Sequence, residues 1–502
     1  MEPEMNFMGI DIGTSGCKAA VFDSAGRQLV LSYREYNVLF TGDGGVELDS
    51  DDVIKKSFEV IRECNSGLDG HSVKALAISS QGEAFTAVDK DQYSLCNAMI
   101  SSDKRALPYV QKWVDKFGEE KLYQITGHTA HPMFTLFKLL WLKENKPEVW
   151  KNARKFLCFE DLLQYRLGID PAIGWPLAGR TMLFDVRKHC WSTEILALLD
   201  LQEEQLARPL RSGSVAGEIN ADIAGDLGFA ENTMVVSGGH DQICNALGAG
   251  VVRPGMAMYA SGTVECITPC FDRPIFSDNL RKSNLCTYDH ALEDMYATVA
   301  YSLTGGNILK WFRDEFGREE VVSTQKSGKD AYELILQNTW DKPTGLMVLP
   351  YFTPTGTPYF DSATKGAIFG LRISTPRGEF IRALLEGVTF EMRLNLDILE
   401  NSGYRIDELS LVGGGAKSRM WSQLKADVTG KKIRMLSVSE AGCLGAAMLA
   451  CAAFSGHSLH DLAKKWVGIK SVLMPNKKKH SIYNQKFEKY KKLYRAVREI
   501  SV

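Results

Sequence analysis

A carboxylate that follows a glycine turn is the feature of this sequence with the clearest chemical use. Residues 232–237 are short, apolar and β-branched, which predicts a buried strand, and apolar residues recur at helical spacing over 243–247. Between them lies Gly238-Gly-His-Asp241, so Asp241 is expected at the start of a helix. The positive field at a helix N-terminus favours an ionised, proton-accepting carboxylate. Asp241 is therefore a candidate general base, with a helix cap as the alternative.

A polar loop joins two predicted strands near the N-terminus. The strands cover residues 6–10 and 18–22, and the loop between them is Asp11-Ile-Gly-Thr-Ser-Gly16. Its glycines allow a ligand to approach closely, and its backbone N–H groups and hydroxyls could bind a phosphate. The loop lacks the GKS/T sequence and precedes a strand instead of a helix, which excludes a P-loop NTPase. The residues predicted to contact phosphate here are Gly13, Thr14 and Ser15.

The same arrangement of strand, Gly-Thr turn and strand occurs again in the second half of the chain. Residues 257–260 and 264–268 are the predicted strands, and Ser261-Gly262-Thr263 is the turn between them. An internal repeat of this kind predicts two similar lobes, each giving a loop to the same polyphosphate. The boundary is expected just after the Asp241 helix, which gives lobes at residues 1–252 and 253–502.

Glycines near a third predicted strand could admit a flat ligand. Residues 408–412 predict this strand, and three glycines follow it at 413–415, before a helix that Ser418 could cap. Gly414 and Gly415 are the candidates for nucleotide contact, whereas the apolar stripe of the helix, which includes Trp421, is assigned to the core. The pair Gly305-Gly306 precedes another helix and could also let the nucleotide approach, with a plain helix start as the alternative.

Polar residues end two further predicted strands in the first half. Residues 73–78 run into Ser-Ser-Gln81-Gly82-Glu83, and residues 98–100 run into Ser-Ser-Asp103-Lys-Arg105. A sugar needs such donors and acceptors, because a buried hydroxyl left unpaired costs about 1–3 kcal/mol. Lys104 and Arg105 are expected on the surface at a helix start.

Length and charge limit the classes of function. The chain has 502 residues and a formal net charge of −2. It is longer than one hydrophobic core usually serves, so two domains of about 250 residues are expected. Apart from residues 477–480 the basic side chains are dispersed, which argues against a nucleic-acid or membrane partner. The lysines at 477–479 are assigned to a solvated surface.

Targeting signals and cysteine usage favour a cytoplasmic protein. The N-terminal residues 1–6 are acidic where a signal peptide would be basic. The longest weakly polar run, residues 441–454, is shorter than the ~20 residues of a membrane span and contains two glycines, so a buried helix is expected. The eleven cysteines are scattered without a CxxC or zinc spacing, which indicates reduced thiols. The sequence does not determine the oligomeric state, and a homodimer is kept open.

Four separated motifs, in this order, resemble those of the FGGY family of carbohydrate kinases. The two Gly-Thr loops resemble the first and second phosphate motifs of the larger group that includes hexokinase, actin and the heat-shock ATPase domain. Residues 411–427 are similar to the adenosine motif of that group, and residues 133–145 resemble the other family signature. The resemblance covers essentially the full chain. It implies an α/β fold of two ribonuclease-H-like (actin-like ATPase) domains with a central cleft, which holds ATP and Mg²⁺ and transfers phosphate to a sugar or polyol hydroxyl.

The motifs and the resemblance together assign a role to each candidate residue. ATP is assigned to Gly13, Thr14, Ser15, Lys18, Ser261, Gly262, Thr263, Gly306, Gly414, Gly415 and Arg419. The acceptor is assigned to Gln81, Gly82, Glu83, Asp103, Asp241 and Gln242. Asp241 is the catalytic base, and Mg²⁺ is assigned to Asp11 and Asp241, through water at Asp11 because that ion loses its hydration reluctantly. Lys18 stands where the family often has arginine, so its contact with phosphate is left open.

Departures from the family pattern bear on the acceptor. The glycerol kinase branch has Gln-Arg-Glu where this chain has Gln81-Gly82-Glu83, and a tyrosine where it has Met133. Losing the arginine and the phenol implies a wider pocket that is less specific for glycerol. Xylulokinase-like members carry Met-His at 82 and 83, which this chain also lacks, although Met133 and residues 138–141 are closer to that branch.

Several acceptors and two other classes of function therefore remain. A ketose such as xylulose, or a related pentulose or hexulose, is favoured as the acceptor. A polyol or sugar acid of the erythritol, glycerol or gluconate type is the alternative. An actin-like ATP-binding scaffold would use the same loops but needs no sugar pocket. A hydrolase of the exopolyphosphatase sort would use the same loops with paired carboxylates.

Overall fold

The computed structural model describes residues 5–68 and 72–501, so residues 1–4 of the acidic N-terminus lie outside the described residues. The strands of the first half are β1 (Asn6–Ile12), β2 (Gly16–Asp23), β3 (Gln28–Glu35), β4 (Leu39–Phe40), β5 (Val46–Leu48), β6 (Val73–Ser80), β7 (Thr86–Val88), β8 (Ala98–Met99), β9 (Lys155–Leu157), β10 (Ala172–Gly174), β11 (Phe184–Asp185), β12 (Cys190–Trp191), β13 (Arg208–Leu210), β14 (Val215–Glu218) and β15 (Met234–His240). The helices of the first half are α1 (Ser50–Ser66), α2 (Leu107–Phe117), α3 (Glu119–Thr126), α4 (Thr135–Asn145), α5 (Pro147–Asn152), α6 (Phe159–Arg166), α7 (Trp175–Arg180), α8 (Thr193–Leu199), α9 (Ala221–Leu227) and α10 (Asp241–Gly248).

The second half alternates strands and helices in a similar way. Its strands are β16 (Gly255–Ser261), β17 (Glu265–Phe271), β18 (Tyr288–Asp289), β19 (Tyr296–Ala297), β20 (Ala300–Ser302), β21 (Met347–Leu349), β22 (Ala367–Phe369), β23 (Ile406–Val412), β24 (Lys432–Leu436) and β25 (Ile469–Leu473). Its helices are α11 (Asp278–Lys282), α12 (Asn307–Phe316), α13 (Arg318–Ser327), α14 (Ala331–Gln337), α15 (Arg377–Asn401), α16 (Arg419–Thr429), α17 (Ala441–Ser455), α18 (Leu459–Trp466), α19 (Lys477–Tyr490) and α20 (Leu493–Ser501).

Two large mixed sheets form the two lobes. The first has the strand order β14-β15-β6-β1-β2-β3, in which β6 and β15 run parallel to β1 and the β1–β2 pair is antiparallel. The second contains β17-β16-β23-β24, with an antiparallel β16–β17 pair and with β23 and β24 parallel to β16. The hairpin and its parallel neighbour therefore recur in both lobes. The predicted α/β fold with two related domains is confirmed.

The parallel strands of the first sheet end at one edge, where the candidate side chains were expected. In the sheet register Asp11 of β1 is opposite Ser79 of β6, and Ser80 of β6 is opposite His240 of β15. Because the carboxyl ends of parallel strands meet at one sheet edge, residues 11, 79–83 and 240–241 converge there. The polar strand ends of the sequence are thus brought together by topology.

Two helices of small residues join the lobes. Helix α10 ends the first half, and α17 packs on α10 and on strands β1 and β6 of the first sheet, although it follows the strands of the second sheet in sequence. A Cβ on Gly248 would overlap the carbonyl oxygen of Ala441, and one on Gly445 would overlap that of Cys244. Glycine is required at both places for the close approach of the helices.

The core of the first lobe therefore includes residues of α17, while the lobe boundary at 252/253 stays a prediction. The expectation of a buried helix over 441–454 is confirmed by α17. Among the described residues, no helix combines the length and apolar character that crossing a bilayer requires.

Candidate active site

Asp241 is the first residue of α10, directly after β15, as the sequence predicts. The side chain of His240, which precedes the helix, makes no capping hydrogen bond, whereas the backbone of Gln242 hydrogen-bonds to the Asp241 carboxylate, so the cap alternative stays open. The side chain is 26% exposed, and its Oδ1 lies 3.1 Å from Nε2 of His240. Burial raises the pKa of Asp241 to about 7, and the negative charges of Asp11 and Glu83 contribute to the rise. The carboxylate is thus suited to accept a proton near neutral pH.

A buried glutamate fixes the end of β15, which carries Asp241. The Oε1 of Glu160 accepts hydrogen bonds from the backbone N–H of Gly238 at 2.8 Å and from Oγ of Ser237 at 3.3 Å, and its Oε2 accepts one from Gly174 N at 3.2 Å. Burial raises the pKa of Glu160 to about 8. A Cβ on Gly238 would overlap the carbonyl oxygen of Ile78, so this part of β15 requires glycine. Glu160 therefore positions the segment that presents the base.

Asp11 lies opposite Asp241 at the same sheet edge. Its Oδ1 accepts a hydrogen bond from Oγ of Ser79 at 2.6 Å, and burial raises its pKa. A Cβ on Gly442, at the start of α17, would come within 3.0 Å of this carboxyl group, so the helix packs directly against it. The charge of Asp11 contributes to the raised pKa of Asp241, and two neighbouring carboxylates form a suitable place for a cation.

The first phosphate loop is exposed at its tip and anchored at its base. Thr14 and Ser15 are exposed between β1 and β2, where Gly13 N donates to Gly16 O at 3.0 Å. Gln81, which we assigned to the acceptor, instead holds this loop. Its Nε2 donates to Gly13 O at 2.9 Å and its Oε1 accepts from Oγ1 of Thr14 at 3.2 Å. The assignment of Gln81 is corrected accordingly, because the sequence does not reveal which way a strand-end amide points.

Lys18 forms an ion pair across the two halves of the chain. Its Nζ lies 2.6 Å from Oε2 of Glu440, in the segment before α17. The pair lies close to Asp11, whose charge also acts on Lys18. The structure therefore gives Lys18 an ionic partner other than phosphate, and its assignment to ATP stays a prediction.

The second phosphate loop has two exposed residues and one buried residue. Gly262 and Thr263 are exposed, as expected for phosphate contact. Ser261 is completely buried, and its hydroxyl donates to Oε1 of Glu265 at 2.8 Å and accepts from Nζ of Lys425 at 2.5 Å. The assignment of the Ser261 side chain to ATP is therefore corrected, since a strand residue that faces the core cannot also face the ligand.

A buried ion pair links this loop to α16. The Nζ of Lys425 lies 2.9 Å from Oε2 of Glu265, and both side chains are almost completely buried. The ammonium group also lies 4.2 Å from the centre of the Tyr259 ring and 4.4 Å from that of Trp421. The position of the phosphate loop is thereby coupled to the helix that follows the glycine motif.

The glycine motif has two kinds of glycine. A Cβ on Gly415 would overlap Oγ of Ser261, and a Cβ on Gly306 would lie 2.6 Å from Gly262 O, so both glycines are needed for packing on the second loop. Gly414 is exposed, and nothing lies within 4 Å of the position where its Cβ would be. Arg419 is exposed at the first position of α16. Gly414 and Arg419 therefore stay candidates for contact with the nucleotide. At positions 415 and 306, packing within the protein already explains why the residue is glycine.

Gly414→Ala is expected to raise the KM for ATP at least several-fold without lowering the melting temperature. The protein has room for the methyl group, whereas a bound nucleotide would not, and overfilling a packed contact costs about 1–3 kcal/mol. Steady-state kinetics and thermal unfolding measure the two effects. The matched control is Gly225→Ala in α9, which also has open space around it. An unchanged KM in Gly414→Ala would remove Gly414 from the ATP site.

Glu83 lies in the acceptor region with an unusual backbone conformation. Its φ is 64°, in the left-handed region that non-glycine residues seldom adopt, and its side chain is buried. Two residues of α4 hold its carbonyl oxygen: Nζ of Lys138 at 2.7 Å and Oγ1 of Thr135 at 3.0 Å. The segment 133–145 therefore acts by holding the loop that bears Glu83.

Two neighbours of this loop also contribute polar atoms. The Oε2 of Glu83 accepts a hydrogen bond from Oγ of Ser101 at 2.8 Å, and its Oε1 pairs with Arg180. The Oε1 of Gln242 is buried and has no hydrogen-bond partner among the described residues, as would suit an acceptor for a ligand hydroxyl. Glu83 and Gln242 stay candidates for the acceptor.

Asp103 and Arg105 have structural roles instead of the expected ones. Asp103 is 1% exposed, and its carboxylate accepts from Val46 N at 3.0 Å and from Arg105 N at 2.9 Å. The Arg105 guanidinium pairs with Asp103 and Glu47 and stacks on Trp141 at 4.2 Å. Asp103 is therefore removed from the acceptor set, and the surface assignment of Arg105 is wrong. Spacing alone cannot show that an i, i+2 pair turns inward together.

The donor set fits a magnesium ion that keeps part of its hydration. Among residues 5–68 and 72–501, no cluster of three His, Cys, Asp or Glu side chains could enclose a metal ion. Mg²⁺ in phosphate-transfer sites commonly uses one or two carboxylates, with water and phosphate oxygens as its other ligands. Asp11 and Asp241 could supply those carboxylates, and their assignment to Mg²⁺ stays a prediction.

Sequence reasoning missed three groups of this site: Glu160, the Lys425–Glu265 pair and Arg180. Lys425 and Glu265 are separated by 160 residues, and Arg180 and Glu83 by 97. None belongs to a motif of recognisable spacing. The one available signal was the place of Lys425 in α16, at helical spacing from Trp421 and Val428 of the apolar stripe.

Comparisons with known proteins agree along the whole chain. Residues 6–248 match the N-terminal domain of the FGGY family of carbohydrate kinases, and residues 258–454 match its C-terminal domain. A protein named xylulose kinase from Bacillus subtilis (strain 168) is 26% identical over 498 residues, which are 98% of this chain and 97% of the relative.

Two solved structures share the fold. The ligand-bound xylulose kinase from Lactobacillus acidophilus has a TM-score of 0.90 at 24% identity, with 98% of both chains covered. The gluconate kinase from the same organism has a TM-score of 0.89 at 24% identity, also with 98% of both chains covered.

Proposed function

Because the chain belongs to the FGGY family of carbohydrate kinases, we propose that it transfers the γ-phosphoryl of MgATP to a hydroxyl of a neutral ketose, such as xylulose or a related pentulose or hexulose. The enzyme is a sugar phosphotransferase, and ATP is its phosphoryl donor. Family membership favours this activity over the scaffold and hydrolase alternatives. The finer assignments of acceptor, base and metal are proposals.

The position of Asp241 is the observation that carries the proposed mechanism. Its carboxylate stands at the edge where β1, β6 and β15 end, and Asp11 and Glu83 are close enough to affect its pKa. In the proposed reaction Asp241 accepts the proton of the attacking hydroxyl as that oxygen bonds to the γ-phosphorus and the bond to the β-phosphate oxygen breaks. Phosphoryl transfer depends mainly on positioning and charge stabilisation, and a well-placed base adds about 10²–10⁴-fold.

The exposed loop residues support binding of the triphosphate. Thr14 and Ser15 from one hairpin and Gly262 and Thr263 from the other would donate hydrogen bonds to phosphate oxygens. Asp11, through water, and Asp241 would hold Mg²⁺, which when bound neutralises charge on the phosphates. Closure of the lobes over both substrates would exclude water as a competing acceptor.

The charge of the acceptor region supports a neutral sugar. Asp11, Glu83 and Asp241 are acidic. Of the cations near them, Arg180 is already paired with Glu83, Lys18 with Glu440, and Lys138 binds the carbonyl oxygen of Glu83. A sugar acid would bring a further negative charge next to these carboxylates, which like-charge repulsion disfavours. The similarity to a relative named xylulose kinase also supports a ketose as the acceptor. A polyol stays the second candidate, because it is also neutral.

The substrate class can be tested by coupled measurement of ADP release with a panel of pentuloses, hexuloses, polyols and aldonates. ADP release that depends on a neutral ketose is the expected result. Equal release without any sugar, or release only with an aldonate, would overturn the proposal.

The pH dependence of the reaction is expected to follow Asp241. Only the ionised carboxylate accepts a proton, so kcat/KM for the sugar should rise with pH through about 7 and fall about tenfold per pH unit well below it. The measurement varies the sugar while MgATP is held below its KM. A profile that is flat between about pH 5 and 8 would contradict this role for Asp241.

We also propose a cytoplasmic location without nucleic-acid or membrane partners. All eleven cysteines are free, which suits a reducing compartment. The net charge of −2 gives no general attraction to polyanions.

A further inference from the structure

Arg180 lies beside Gly82, together with His240. It is the last residue of α7, and only 7% of it is exposed. A Cβ on Gly82 would lie 2.9 Å from Nε2 of His240 and 3.5 Å from Nε of Arg180. An arginine from another part of the chain thus comes beside Glu83. The wider pocket that the loss of arginine at position 82 implies stays a prediction.

Several N–H groups of the Arg180 guanidinium lack a strong hydrogen-bond acceptor among the described residues. Its Nε donates to Oε1 of Glu83 at 2.5 Å, and its Nη2 pairs with the same oxygen. The partner of Nη1 is Sγ of Cys286 at 4.0 Å, and sulfur is a weak acceptor. Of the five N–H groups of an arginine, two face one carboxylate oxygen and the others lack an oxygen acceptor in residues 5–68 and 72–501. Buried donors of this kind need a partner.

The surroundings of Arg180 place these donors beside the reaction centre. The rings of Phe134 and Tyr288 lie 5.1 Å and 5.8 Å from the guanidinium carbon. Arg180 therefore contacts Tyr288 and Cys286 of the second half, while Gly82 places it close to His240, the neighbour of the base. Its charge also acts on Asp241.

We infer that Arg180 contacts the sugar and determines specificity, donating hydrogen bonds to carbonyl or hydroxyl oxygens of a neutral ketose. Glu83 fixes the orientation of the guanidinium and neutralises its charge. The site therefore offers hydrogen-bond donors to the sugar without attracting the carboxylate of a sugar acid. This inference rests on the proposed function and specifies the acceptor site.

The test is the kinetics of Arg180→Gln and Arg180→Lys with the best ketose of the panel. Losing hydrogen bonds from a charged donor should raise the sugar KM about ten- to a hundredfold, while the KM for ATP changes less than about twofold. The lysine variant keeps a charge for Glu83 but loses the planar fork, so it tests the contact if the glutamine variant does not fold. Thermal unfolding of both variants shows which of them is folded.

Arg187→Gln is the matched control, because Arg187 is an exposed arginine outside the pocket, and its sugar KM should not change. A folded Arg180 variant with an unchanged sugar KM would overturn the inference while leaving the proposed kinase intact. If the wild-type enzyme itself shows no ketose-dependent ADP release, the proposed function fails first.

Discussion

Asp241→Asn is expected to lower sugar-dependent ADP release by about 10²–10⁴-fold, the contribution of a well-placed general base. The amide keeps the size of the side chain and its place beside His240, but it cannot accept the hydroxyl proton. The KM for ATP should change only a few-fold, because the exposed residues of the two loops still bind the triphosphate. Steady-state kinetics with saturating ketose measures the loss.

The control for this substitution is Asp222→Asn. Asp222 is likewise an acidic residue in the first turn of a helix, α9, and is exposed. Its variant should keep the wild-type rate within about twofold, since surface substitutions away from special features have small effects. Near wild-type turnover in Asp241→Asn would show that a group other than Asp241 accepts the proton of the attacking hydroxyl.

Lys425→Met is expected to destabilise the second lobe by about 3–5 kcal/mol, the usual cost of removing one partner from a buried ion pair. The substitution leaves the Glu265 carboxylate buried beside Ser261 without its cation. It also removes the contact between α16 and the loop at 261–263, so the KM for ATP should rise. Urea unfolding monitored by tryptophan fluorescence reports the stability, since Trp421 lies next to Lys425.

Two further variants separate the buried pair from ordinary surface charge. In Glu265→Gln/Lys425→Met both charges are gone, so most of the stability should return. Lys432→Met removes a half-exposed partner of Glu408 and should cost at most about 1 kcal/mol. If Lys425→Met and Lys432→Met were equally stable, the proposed coupling of loop and helix would be wrong.

The sequence predicted the parts of the fold that depend on local pattern. The strand and the helix around Asp241 could be predicted because the hydrophobic period changes at the glycines. The expected glycine turn is wrong, since β15 continues through Gly238 and Gly239 to His240 and α10 begins at the next residue. The two Gly-Thr hairpins could be predicted because their repeat is visible in the residues. The convergence of Asp11, Glu83 and Asp241 follows from parallel strands ending at one edge.

The direction of individual side chains could not be predicted in the same way. Ser261 and Asp103 are of the expected type and lie in the expected segments, yet both face buried cations. Gln81 stands at the expected strand end but binds the neighbouring loop. These outcomes depend on contacts between residues far apart in sequence, which no local spacing encodes.

Tracing the γ-phosphoryl group of ATP tests the central claim most directly. The enzyme is incubated with ATP labelled at the γ-phosphorus and with a neutral ketose, and the labelled products are separated. We predict label in a sugar phosphate from the wild-type protein, and its near-complete loss from Asp241→Asn. Label that appears only as inorganic phosphate, at a rate independent of the sugar, would contradict the account.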